Sequence, residues 1–198
     1  MANDAVDPAR RRLLAGTAGA LGGVGLAATA VPFVSSMQPS ARTQAAGAPV
    51  EVDISKLKPG ELMVVEWRRK PVWILRRTQE ELDHLAKVPA DELRDPESVE
   101  SEQPAYAQNE VRSIKPEYLV LVGVCTHLGC SPKYRPEVGA PDLGADWEGG
   151  FQCPCHGGRY DLAGRAYKGY PPPLNMAVPP YRYLTDTKLR IGEDPETA

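Results

Sequence analysis

Apolar residues occur along this chain in two regimes, one continuous and one alternating. From Leu13 to Ala41 there is no ionisable side chain. The apolar part, Leu13 to Val34, would span about 33 Å as a helix, enough for a hydrocarbon core of about 30 Å. A single membrane-spanning helix is therefore predicted within residues 10–37. Gly16, Gly19, Gly22, Gly23 and Gly25 would let it approach other membrane helices closely. From 38 to 49 the apolar pattern stops, and Pro39, Gly47 and Pro49 disfavour a continuous helix. This reads as a flexible linker reaching about 40 Å at most.

The second regime begins at Val50. Val50 to Ile54, Leu62 to Trp67 and Val72 to Arg76 are rich in β-branched and aromatic residues and predict strands, the last two forming a hairpin. Thr78 with Glu81 forms a capping box for a short helix running to about Lys87, on which His84 reads as a surface histidine. Asp91 to Glu110 is crowded with carboxylates and reads as a solvated excursion. Tyr118 to Val124 is the clearest buried strand, and it leads straight into Cys125. Ser131 to Gly150 is a Pro- and Gly-rich insertion in which Trp147 and the adjoining Phe151 are expected to pack. Asp161 to Gly164 is a turn between short strands, and Tyr181 to Leu184 with Leu189 to Ile191 form a closing hairpin. Many short strands with turns every few residues predict an all-β head over 50–198.

Charge narrows the partners. Outside the N-terminus there is no basic stripe, and the net charge of −3 argues against nucleic acid as a partner. Arg10, Arg11 and Arg12 flank the apolar span on its N-terminal side. The positive-inside rule then puts the tail, residues 1–9, in the cytoplasm and the head across the membrane. The competing reading is a cleaved signal ending at Ala28-Thr29-Ala30. The apolar run continues through Pro32, Phe33 and Val34, which favours a retained anchor.

All four cysteines sit in two stretches, Cys125-Thr126-His127-Leu128-Gly129-Cys130 and Cys153-Pro154-Cys155-His156-Gly157-Gly158. Each offers a Cys and a His to one centre, and each carries one further thiol. A tetrahedral zinc site from Cys125, His127, Cys153 and His156 would leave two thiols without a role. Two plain disulfides would account for the thiols and ignore both histidines.

These stretches resemble the high-potential Rieske motif of the iron-sulfur subunits of cytochrome bc complexes. The resemblance implies a [2Fe-2S] cluster held by Cys125 and Cys153 on one iron and by His127 and His156 on the other, with Cys130 and Cys155 as a disulfide. It implies a Rieske-type antiparallel β-sandwich head with a small cluster-binding subdomain at about 125–175. Arg11-Arg12-Leu13-Leu14 is similar to a twin-arginine export signal, which places the head on the periplasmic side of the inner membrane. Pro171, Pro172 and Pro173 resemble the family's proline loop, and with Leu128, Gly129 and Pro154 they would form an apolar docking tip. Tyr160 matches the tyrosine that bonds a cysteine sulfur, whereas Gly158 stands where many members carry a serine donor to a cluster sulfide.

The chemistry this implies is electron transfer. Replacing two thiolates by neutral imidazoles lifts the potential into roughly −150 to +300 mV, against about −400 mV for all-cysteine plant-type clusters. That suits oxidation of a quinol docked at a cytochrome b subunit, with His156 accepting a hydrogen bond from the quinol hydroxyl. By the same resemblance, residues 38–49 would be the flexible hinge on which the head swings to a c-type cytochrome, within a dimeric complex. Missing the serine donor, Gly158 should lower the potential, and Gly158→Ser should raise it. The alternatives are a Rieske subunit of another exported oxidoreductase such as arsenite oxidase, a soluble Rieske ferredoxin, and a zinc-stabilised binding module.

Overall fold

A computed structural model describes residues 7–195 of the chain. It separates into two units, one ending at Ala45 and the other beginning at Ala46. The tail expected at 1–9 lies largely outside the described residues.

The first unit is built on helix α1, Pro8–Ser36. Pro8 occupies its first turn, where a missing N–H costs nothing, and the Asp7 carboxylate accepts the Ala9 N–H at 2.9 Å. The three arginines extend the helix a turn beyond the apolar span read from the sequence. No residue of α1 is buried, and the helix is long and apolar enough to cross a membrane. The hinge segment is not extended throughout, because Ala41–Ala46 forms a short helix, α2. Ser40 starts it by accepting the Thr43 N–H on its hydroxyl at 3.2 Å. Six helical residues cover about 9 Å where an extended chain would cover about 20 Å, so α2 shortens the reach expected from the sequence.

The second unit carries three antiparallel sheets. β1 (Val50–Asp53), β9 (Lys188–Ile191) and β8 (Tyr181–Thr185) form one, in that order. β2 (Leu62–Trp67), β3 (Lys70–Arg76) and β4 (Tyr118–Val122) form the second. β5 (Lys133–Arg135), β6 (Gly150–Cys153) and β7 (Gly158–Tyr160) form the third and smallest. In β3 the run Val72, Trp73, Ile74 and Leu75 is buried without alternation, as is Tyr118 to Leu121 in β4. Both strands are covered on two faces, which explains why they read as continuous apolar runs. The β2–β3 turn places Arg68 and Arg69 at positive φ, 50° and 60°, the backbone that a two-residue hairpin requires even without glycine.

Helix α3, Gln79–Leu85, starts at the predicted capping box, with Thr78 and Glu81 bonding each other's backbone N–H. It stops two residues short of Lys87. His84 is not a free surface histidine. Its ring bonds the Glu148 carboxylate and only 17% of its side chain is exposed, which ties α3 to the 131–150 insertion. Trp147 packs as expected, with Leu143, Tyr167, Leu93 and Val88. Phe151 instead enters the main core, its ring 5.4 Å from that of Trp73. As part of β6 it also meets the insertion, paired with Tyr134 of β5 and with its ring 5.8 Å from that residue's, so it joins the insertion to the base of the head.

The acidic excursion departs furthest from expectation. Leu93, Asp95, Ser98, Ser101 and Ala107 are buried within it. Two features hidden from composition hold it inward. The Asp95 carboxylate accepts the N–H groups of Val99, Glu100 and Ser101. The buried Arg112 guanidinium donates to the carbonyls of Ala163 and Gly164 and to Gln103. Arg77, at the end of β3, likewise donates to the carbonyls of Pro116, Val111 and Leu162 and to the Ser113 hydroxyl. Burial pushes both guanidinium groups down to about 10. They remain charged at neutral pH and staple the base of the head to the 161–164 turn.

Candidate metal centre

Three loops converge at one end of the head, and each is aimed by the strand or contact that delivers it. β4 leads into 125–130 through Gly123, where a Cβ would lie 2.2 Å from the Trp73 ring, so any larger residue would push the loop off the core. The loop closes on itself, with the Cys125 N–H on the Cys130 carbonyl at 2.7 Å and the Gly129 N–H on the Cys125 carbonyl at 3.0 Å. The second loop joins β6 to β7, with Cys153 paired opposite Gly158. Gly157 takes φ 68° there, a conformation that favours glycine. The third loop, 169–175, lies over both.

Cys130 and Cys155 form a disulfide across the first two loops, with Cα atoms 6.7 Å apart. Cys125 and Cys153 are free thiols, 3% and 2% exposed. The His127 and His156 rings lie 5.0 Å apart at 88° to each other. His127 is half-buried and His156 exposed. The four donors therefore sort into a buried sulfur pair and an outer imidazole pair.

Hydrogen-bond donors surround the sulfurs. Tyr160 donates its hydroxyl to the Cys125 sulfur at 3.2 Å. Burial foremost, with the bond to Cys125, holds that phenol protonated well above the ordinary range. The backbone N–H groups of Cys155 and His156 point at the Cys153 sulfur, while burial and the neighbouring Cys125 raise that thiol. Two buried thiols with donors aimed at them, and two imidazoles beside them, fit a two-iron cluster with unlike ends. A closed tetrahedral zinc site has no such division. Replacing Tyr160 with Phe is expected to lower the cluster's reduction potential by about 59 mV, a tenfold change for one electron, in a redox titration.

The comparisons decide the family. Residues 49–181 match the Rieske [2Fe-2S] domain. The chain is 55% identical over 98% of its length to the ubiquinol-cytochrome c reductase iron-sulfur subunit of Allochromatium vinosum, covering 93% of that protein.

The chain belongs to the Rieske iron-sulfur subunits of ubiquinol-cytochrome c reductase.

Residues 1–40 match the Ubiquitinol-cytochrome C reductase Fe-S subunit TAT signal, in agreement with the twin arginines at its start. The subunit of the same name from Bradyrhizobium diazoefficiens is 43% identical over 96% of this chain and 98% of its own. Among solved structures, a chain of a hyperthermophilic respiratory complex III is 30% identical, with a TM-score of 0.46 over 88% of this chain and 98% of that one. As a member of this family the chain is a membrane-anchored electron-transfer subunit with a 2Fe-2S cluster, which sets aside the arsenite oxidase, ferredoxin and zinc readings.

Within this Rieske head most of the expected site residues come together. Leu128 is 70% exposed, and Gly129, Pro154, Pro171 and Pro173 are exposed beside it. Pro172 is not part of that exposed tip. It is buried, and its ring fills the space that a side chain at Gly158 would occupy, 2.7 Å from the position of a Cβ there. The expected gain of a serine donor at 158 therefore meets an obstacle that the motif does not reveal.

Thr126 was not legible as a functional residue. Its hydroxyl donates to the Leu174 carbonyl at 2.6 Å, and its N–H bonds the Tyr160 hydroxyl at 2.9 Å. It thus joins the third loop to the tyrosine on the Cys125 sulfur. Its place inside the Cys-His stretch was the only signal.

Proposed function

We propose that Cys125 and Cys153 hold one iron of the cluster and His127 and His156 the other, and that the head oxidises quinol and passes the electron to a c-type cytochrome. The cluster supplies the one-electron acceptor. The observation that carries this reading is the sorting of the four donors into a buried thiol pair and an outward imidazole pair. Only an exposed ring can meet a quinol held by another subunit. His156 has that exposure, and its ring nitrogen away from the iron accepts the quinol's hydrogen bond and holds the proton. Leu128, Gly129, Pro154, Pro171 and Pro173 form the apolar rim that seats against cytochrome b and keeps water from that bond.

Residues 38–49 are the hinge of the swing. The stretches on either side of α2, 38–40 and 47–49, hold no helix or strand and can bend. The N-terminus lies in the cytoplasm, α1 spans the inner membrane, and the head is periplasmic, within a dimeric complex. N-terminal sequencing of the mature protein tests the anchor. It is expected to read residues ahead of Leu13, and a start at Val31 would mean that the apolar helix is removed.

The ligand set is tested by pulsed electron paramagnetic resonance of the dithionite-reduced complex. Coupling to two histidine nitrogens is expected in wild type, with loss of the signal and of the bound iron in His156→Ala. A reduced spectrum with one nitrogen, or full iron content in His156→Ala, contradicts the assignment.

A further inference from the structure

The third loop is held from outside the cluster-binding subdomain. Asn175, at its end, is 1% exposed and fully engaged. Its side-chain carbonyl accepts the Ala166 N–H at 2.8 Å, and its amide donates to the Asp95 carbonyl at 2.8 Å and the Ser98 hydroxyl at 3.0 Å. Its backbone N–H reaches the Ser101 hydroxyl at 3.2 Å. That hydroxyl has a single proton, which it gives to the Asp95 carboxylate at 2.6 Å. Asp95 therefore fixes the direction in which Ser101 presents its lone pair to Asn175. At the other end of the loop, Arg94 donates to the Tyr170 carbonyl at 2.8 Å.

We propose that Asp95 is a positioning residue for the cluster, acting through Ser101 and Asn175 to hold the proline loop down on Thr126 and Tyr160. The path is continuous. Asn175 follows Leu174, whose carbonyl holds the Thr126 hydroxyl, and Thr126 holds the Tyr160 hydroxyl that donates to the Cys125 sulfur. Asp95 accepts four donors, the Ser101 hydroxyl and three backbone N–H groups, on its two oxygens. Burial alone would raise this carboxyl, but the Ser101 hydroxyl and those N–H groups together hold it below the ordinary carboxylate range. An amide of the same shape cannot reproduce that pattern, because its NH2 group faces donors with a donor. The acidic excursion is thus a clamp on the cluster's cover, and its carboxylate count says nothing of this.

The inference rests on Cys125 being a cluster ligand, as proposed above. The test uses the full chain in its complex and compares wild type with Asp95→Asn and Ser101→Ala. Ser101→Ala leaves the three backbone bonds to Asp95 in place and removes only the relay, so it serves even where Asp95→Asn fails to fold. Hydrogen exchange reads the loop, and a titration followed by electron paramagnetic resonance reads the cluster. Both variants are expected to speed exchange of the Asn175 and Ala166 amides about tenfold while Leu119 and Val120 in β4 hold their wild-type rates. The cluster's reduction equilibrium is expected to move about threefold against the reduced form, or about 28 mV at 59 mV per tenfold.

Unchanged exchange at Asn175 and Ala166 overturns the proposal. So does equal acceleration throughout the head, which would make Asp95 a general stabiliser, and so does selective loosening with an unmoved potential. Failure of the ligand assignment would show separately, in the nitrogen couplings of the wild-type complex.

Discussion

Replacing both Cys130 and Cys155 with alanine is expected to cost the head about 3.5 kcal/mol and to strip the cluster from most of the protein. The disulfide closes a loop with a sequence separation of 25. Loop-closure entropy for that length at 25 °C gives about 3.5 kcal/mol in the unfolded chain. The local effect is larger in consequence, because the bridge directly cross-links the two loops that carry the free thiols and the imidazoles. Cys155 is exposed, so a reductant can reach the bond. Denaturant unfolding should report the loss of stability, and iron content the loss of cluster. A variant that keeps wild-type iron content would show that the base of the head alone aligns the loops.

The second large effect concerns Gly158→Ser. Chemistry alone says that a hydroxyl near a cluster sulfide favours the reduced form. Backbone strain does not oppose the change, since residue 158 lies in β7 outside the left-handed region. Space does oppose it. A Cβ at 158 would lie 2.7 Å from Cγ and 3.1 Å from Cδ of Pro172, and 3.4 Å from the Cys153 Cβ. A proline ring is tied to its own backbone, so it cannot rotate away as a flexible side chain would. The loop must lift, at a cost of about 1–3 kcal/mol as for other overpacked sites. Gly158→Ser is expected to lose cluster occupancy without a rise in potential. Gly158→Ser with Pro172→Ala should restore occupancy and let the potential rise. A raised midpoint at full occupancy in the single variant would mean that the loop yields cheaply.

The elements that bury two faces or carry a paired motif were legible in the sequence. β3 and β4 announce themselves by unbroken apolar runs, the capping box fixes the start of α3, and the two Cys-His stretches hold the free thiols, the imidazoles and the disulfide. What escaped depends on contacts between segments far apart in the chain. Asp95 looks like one carboxylate among many until its oxygens meet the 99–101 backbone. His84 looks solvated until Glu148 arrives from the insertion. Pro172 looks like tip surface until its ring is seen over Gly158. Helix α2 is too short for periodicity to disclose, and its one cue, Ser40, is an ordinary residue in a polar stretch. In each case the deciding partner lies elsewhere in the fold or the element is shorter than its pattern.

The pairing of β1 with β9 bears on when the head can be completed. Val50 lies opposite Ile191, so the first strand of the head has no partner until the last has left the ribosome. At about 5–20 residues per second, that wait is about 7–30 s. The loops at 125–130, 153–158 and 169–175 are all made within it, while one edge of the base is still open. Pairing of such distant segments is also slow once the chain is finished. Iron and sulfide acquired during synthesis would be held by an unfinished scaffold, so maturation of the cluster site belongs after the last strand has been released and paired.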